Sequence, residues 1–108
     1  MHDIVEFGQL ADDLVKRGRS AFDGDIQLQL AGEAILHRIG EAVSRLPEQL
    51  VSDHPQIPFR QAKATRNLIA HQYHQVNPAV LWRTLEVSVP DLASRVAGLL
   101  ATSAAADT

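Results

Sequence analysis

The chain has 108 residues, enough for one domain and too few for two. Hydrophobic residues make up 45% and charged residues 21%, which excludes a disordered or collagen-like chain. Net charge is −3, and the absence of cysteine excludes disulfides, thiolate metal sites and cysteine nucleophiles.

The opening MHDIVEFGQLADD has neither the basic start nor the apolar run of a signal peptide. No stretch approaches the roughly 20 apolar residues that cross a bilayer. A soluble, cytoplasmic protein that does not engage membranes is the expectation. The acidic sum argues mildly against nucleic acid as a partner, but the charges are unevenly spread. No acid occurs between Asp53 and Glu86, whereas Arg60, Lys63, Arg66, Arg83, His71 and His74 fall there. A local positive field can act on phosphates because salt screens charges beyond about 8–10 Å.

In chain order, Ile4, Phe7, Leu10, Ala11, Leu14 and Val15 recur at spacings of three and four, predicting a first helix over Asp3 to Arg17 that Gly18 stops. Ser20 to Asp25 reads as a loop. Asp23 or Asp25 then caps a long second helix carrying Ile26, Leu30, Ile35, Leu36, Ile39, Val43 and Leu46. Pro47, Pro55 and Pro58 make the next stretch a connection that cannot be continuous helix. Phe59 to His74 reads as the third helix. Asn77 followed by Pro78 is a cap with proline at the first helical position, opening a short fourth helix through Trp82 and Leu85. Ser88 to Asp91, with Pro90, breaks the chain before a last helix bearing Leu92, Val96, Leu99 and Leu100. No strand alternation appears. The expected fold is all-α, an up-and-down bundle of four to five helices over residues 1–100 with a flexible tail over 101–108.

The third helix, FRQAKATRNLIAHQYH, carries the chemistry. At about 100° per residue, Arg60, Lys63, Arg66, Asn67, Ala70, His71, Tyr73 and His74 fall within an arc of roughly 160°. Ala62, Ala64, Thr65, Leu68, Ile69 and Gln72 fill the other side, which suits a core. Taken alone, a cationic helix face is a solvated surface as readily as a phosphate site. His71 and His74 lack the further ligands that a metal shell requires, so no metal is expected. The serines sit in no nucleophile-elbow context, and the six glycines form no phosphate loop.

Arg66-Asn67-Leu68-Ile69-Ala70-His71-Gln72-Tyr73 resembles the Arg-x4-His-x-Tyr signature of HepT-like proteins of the HEPN family. Ile39-Gly40-Glu41-Ala42 resembles the family's Ile-Gly-Glu-Ala segment, Ile57-Pro58-Phe59 stands where Ile-Pro-Trp is usual, and Val76-Asn77 with Leu81-Trp82 matches the usual tail. The likeness spans roughly Phe7 to Leu100. Phe59 departs from tryptophan and Ala64-Thr65 from Gly-Met, and neither departure touches the chemical groups.

The resemblance implies the toxin of a type VII-like module, an endoribonuclease that needs neither metal nor cofactor and cleaves RNA, with tRNA one candidate. It casts Arg66, His71 and Asn67 as catalytic and Arg60, Lys63 and His74 as RNA-binding. It also implies a cognate nucleotidyltransferase antitoxin that silences the toxin by adding AMP to Tyr73. One histidine per chain supplies one proton shuttle, so a two-fold homodimer pairing two such faces is expected. The alternative is a non-catalytic helical module that binds a nucleotidyltransferase or a nucleotide.

Overall fold

The computed structural model describes residues 1–72 and 77–106, and the side chains of residues 1–70 and 77–102. Every regular element among these residues is helical: α1 (His2–Val15), α2 (Arg19–Asp23), α3 (Ile26–Ser44), α4 (Glu48–Asp53), α5 (Phe59–Gln72), α6 (Pro78–Arg83), a π-helical turn (Thr84–Ser88) and α7 (Val89–Ala106). Helix α3 is central. It packs against α1 and α5, while α7 lies along α1. The all-α bundle expected from periodicity is the observed fold, with α1, α3, α5 and α7 as its long members. None of the described helices is long and apolar enough to cross a membrane.

Two helix starts follow from their caps. Asp25 accepts the Gln27 amide at 2.8 Å, and Asn77 accepts the Ala79 amide at 2.8 Å, each satisfying a donor left free in a first turn. Three features differ from the sequence reading. Residues 20–25 are not a loop, because α2 forms there. Gly18, at φ 89°, turns the chain through a conformation that side chains disfavour. Phe22 then buries itself completely against Trp82, with ring centroids 5.2 Å apart and planes inclined by 51°. Burial of that ring outweighs the weak helix signal of so short a segment.

The proline-rich connection contains α4, because Pro47 sits at its N-cap, where no helical N–H is needed. Nor does Pro90 break the chain. Helix runs without interruption from Pro78 to Ala106. In the π turn the Val89 amide reaches the Thr84 carbonyl, one residue further than in an α-helix. That wider ladder accommodates a proline that lacks a donor and crowds the carbonyl four residues back.

Phe22→Ala is expected to cost about 3–5 kcal/mol, the range for deleting a buried aromatic ring. A urea titration followed by circular dichroism checks this. A loss below about 1 kcal/mol would mean that α2 contributes little to the core.

Candidate functional site

Ile57 and Phe59 are both buried on either side of Pro58, so this short segment drives the start of α5 into the core. The Pro58 carbonyl accepts the Ala62 amide at 3.2 Å and opens the helix. From there α5 lies along α3, with buried Phe59 and Ile69 and half-buried Ala62, Thr65 and Arg66 on the contact side. This corrects the helical-wheel reading in two ways. Arg66 does not share an outer cationic face with Arg60, Lys63 and Asn67, which are exposed. Leu68, assigned to the core side, is 47% exposed, and Ala64 is exposed as well.

Arg66 enters the helix interface because Gly40 leaves room for it. A Cβ built on Gly40 would collide with the Arg66 Cβ, would lie 2.6 Å from its Cγ and would come within 3.3 Å of the Ala62 carbonyl oxygen. The methylene stem of Arg66 therefore crosses α3 over bare backbone, and its guanidinium emerges beyond. One terminal nitrogen donates to Glu41 Oε1 at 2.7 Å and the other to Ser44 Oγ at 3.1 Å. The Ser44 hydroxyl donates to the Gly40 carbonyl at 2.9 Å, which turns its lone pairs towards the arginine.

This pair is half-buried, with the Arg66 side chain 22% and Glu41 36% exposed. Such a charge-assisted bond is shorter and stronger than a neutral one. The Arg66 Nε is buried and has no hydrogen-bond partner among the described residues. A guanidinium has five N–H donors, so two bonds leave three without a partner there.

His37 stands one turn before Glu41, its Nε2 3.9 Å from Glu41 Oε1. Glu41, Ser44, Gly40 and His37 were not singled out as site residues from sequence. The signal lay in the Ile39-Gly40-Glu41-Ala42 segment, whose glycine and acid gain meaning only once α5 is laid across them.

The remaining sequence-predicted residues scatter around this centre. Arg60 pairs with Glu48 at 3.3 Å, and both side chains are largely exposed, so the bond is weak and open to exchange. Lys63 lines a shallow depression with Ser44 and Leu46, and Asn67 faces solvent. His71 lies on α5 by its backbone, with its side chain outside the described residues. Tyr73 and His74 lie outside them altogether.

No group of His, Asp or Glu among the described residues is arranged to hold a metal ion. A small pocket of about 60 Å³ lies between Ile39, Ala62, Thr65 and Leu92 and opens to the surface beside Gln61 and Ser88. That is room for a water or two and no more. Larger open spaces include a depression of about 680 Å³ beside Trp82 and Arg83 and a groove of about 460 Å³ between α1 and α3 that reaches Glu41.

The family described as Ribonuclease HepT-like matches residues 4–98. A Thermococcus cleftensis protein named as a probable ribonuclease HepT is 31% identical over 93 residues, covering 85% of this chain and 84% of that protein. A Methanocaldococcus jannaschii protein provisionally named an RNase is 27% identical over 96 residues, covering 85% of this chain and 77% of that protein. No solved structure matches the chain significantly.

Gly40→Ala is expected to destabilise the fold by about 1–3 kcal/mol, the cost of overpacking a tight contact. Gly98 on α7 is the control, because a Cβ there meets nothing within 4 Å. Gly98→Ala should be neutral or stabilise by up to about 1 kcal/mol through helix propensity. Paired thermal melts read both, and equal effects at the two sites would refute the close approach at Gly40.

Proposed function

The chain belongs to the HepT-like ribonuclease family, and on that premise we propose that it is a cytoplasmic, metal-independent endoribonuclease. The observation that carries this reading is the Arg66 guanidinium. Glu41 and Ser44 hold its terminal nitrogens, and each of these keeps one further N–H donor without a partner among the described residues. A planar cation aimed in advance is suited to a phosphate that gains negative charge as it reacts.

His71 follows Arg66 by five residues, about 7.5 Å along the helix axis and roughly 140° around it. Imidazole is the side chain whose proton exchange ordinarily falls near neutral pH, which suits a histidine at this position to acid–base work. In the proposed reaction a base removes the proton of a ribose 2′-hydroxyl, and that oxygen attacks the adjacent phosphorus. The bond from phosphorus to the 5′-oxygen breaks, and the leaving oxygen takes up a proton. The products are a 2′,3′-cyclic phosphate and a free 5′-hydroxyl. Two proton transfers are needed and each chain offers one motif histidine, so a two-fold dimer that joins two motifs supplies both. Asn67 orients the phosphate or the imidazole, and Arg60, Lys63 and His74 hold flanking RNA.

The same reading makes the chain the toxin of a pair whose antitoxin is a nucleotidyltransferase. Tyr73 follows Arg66 by seven residues and His71 by two in the sequence, and it is the motif residue that this reading assigns to modification. A phenol with a pKa near 10 is a poor proton donor or acceptor at neutral pH but a reasonable acceptor for AMP. The added phosphate would compete for the Arg66 donors and block RNA by charge and volume. The rival reading is a non-catalytic partner-binding module in which the Arg66–Glu41 pair is only a strut.

The chain expressed alone should arrest growth and leave RNA ends bearing cyclic phosphate. His71→Ala and Arg66→Ala should each abolish cleavage while keeping the helical content. Arg66→Lys should rescue poorly, because a point charge cannot replace the fork. Cleavage should persist in EDTA. Undiminished cleavage by His71→Ala, or strict metal dependence, would overturn the mechanism.

Co-expression with the antitoxin should add AMP mass to the peptide containing Tyr73, and Tyr73→Phe should stay toxic and escape modification. An adduct at another residue would refute the assignment of Tyr73.

A further inference from the structure

The groove between α1 and α3 combines features that the motif helix does not provide. It is lined by Asp3 and Phe7 from α1, by His37, Arg38 and Glu41 from α3, and by Arg45 at the C-cap of α3. Arg38 and Arg45 are exposed and seven residues apart. They stand on one stripe of the helix, about 20° apart in azimuth and about 10.5 Å apart along the axis.

Among the described residues neither arginine makes an ion pair, whereas both carboxylates of the groove are engaged. Glu41 holds Arg66 at 2.7 Å, so the two acids Asp3 and Glu41 face the three guanidinium groups of Arg38, Arg45 and Arg66. The uncompensated charge of the groove is therefore positive. Phe7 is only half-buried and offers an aromatic surface in the same space. At its inner end the groove meets Glu41, and through it the guanidinium of Arg66.

A cationic track with an aromatic ring beside it is the arrangement that binds single-stranded nucleic acid. The charges follow the backbone, and the ring stacks on a base whatever its identity. We propose that this groove carries a single-stranded segment of the RNA away from the reacting phosphate. Arg38 and Arg45 hold backbone phosphates, and Phe7 stacks on one base. The proposal rests on the ribonuclease reading and adds to it a binding path on α3 and α1, separate from Arg60 and Lys63 on α5. It also places His37 beside the RNA, where its imidazole can donate to a phosphate or a base. Because the contacts are to backbone and a ring face, the groove contributes affinity with little sequence preference.

Binding is measured with a fluorescein-labelled 12-nucleotide oligouridylate by anisotropy across a salt series, using His71→Ala protein so that the probe stays intact. Each phosphate contact to a single strand contributes a slope of about 0.7 in log affinity against log salt, so Arg38→Gln with Arg45→Gln should flatten the slope by about 1.4. The same double variant should weaken binding at low salt at least tenfold. Phe7→Leu, which keeps an apolar side chain but removes the ring, should weaken binding several-fold and leave the slope unchanged. Arg17→Gln, at the opposite end of α1, should alter neither.

Wild-type protein that cleaves RNA, together with an unchanged slope and affinity in the Arg38→Gln/Arg45→Gln protein, would overturn the groove and spare the ribonuclease reading. A wild-type chain that cleaves no RNA would overturn both.

Discussion

A missing side chain at residue 40 sets the geometry on which the rest of the site depends. Because Gly40 presents only backbone, α5 comes close enough for the Arg66 stem to lie directly on α3. The charged head then clears the interface at the level of Glu41 and Ser44, one and four residues further along the same helix. Arginine suits this position because its aliphatic stem gains from burial while its head keeps polar partners. A lysine in the same channel would bring one ammonium with no fork, and could not bond Glu41 and Ser44 with two separate nitrogens in a fixed plane.

Much of the scaffold was legible from the sequence, and the gaps have identifiable causes. Asp25, Asn77 and Pro78 mark helix starts because a cap acts locally, through a side chain and an amide two residues on. Helix α2 was not legible, since its stability comes from Phe22 meeting Trp82 across 60 residues of sequence. The continuity through Pro90 was hidden for a related reason: proline ordinarily ends a helix, and the π turn that accommodates it leaves no residue signature. At the site, the Arg66 motif was visible in the residues, but the direction in which Arg66 points was not. A helical wheel sorts residues by polarity and so placed Arg66 outside with Lys63 and Asn67 and Leu68 inside. The contact face is chosen instead by where the neighbouring helix leaves space, and Gly40 leaves it for a long side chain.

The same lesson applies to charge. The acid-free stretch from Asp53 to Glu86 suggests a positive field around α5 when read along the chain. Folding brings Glu41 from α3 to Arg66 and Glu48 from α4 to Arg60, so two of the basic residues in that stretch acquire acidic partners. Meanwhile Arg38 and Arg45, embedded in the acid-rich first half, are left without them among the described residues. The positive surface available to a polyanion thus includes a part of α3 that linear charge counting assigns to the negative half of the molecule. Within a Debye length of about 8–10 Å, it is this spatial arrangement, and not the net charge of −3, that a phosphate senses.

The Arg66–Glu41 pair also fixes register. Helix α5 makes its main packing contacts with α3, and two helices with small residues at their seam could slide past one another by a turn, about 5.4 Å. A one-turn slip would bring Ala62 or Ala70 to the position of Arg66, since these stand four residues to either side. Either alanine would fit over Gly40, so the close approach at that one position would not by itself forbid the slip. Neither could answer Glu41, which would then be left half-buried without its cation, while the Arg66 stem would be driven against a residue of α3 that has a side chain. Phe59 and Ile69, both buried, would have to leave their pockets at the same time. An ion pair that contributes little net stability can still select one alignment when every alternative strands a charge. The register it selects sets the height of Arg66 along α3, and with it that of the His71 backbone further along α5. The placement of the Arg66 guanidinium is therefore decided on α3, by a glycine and a glutamate that take no part in the Arg-x4-His-x-Tyr pattern itself.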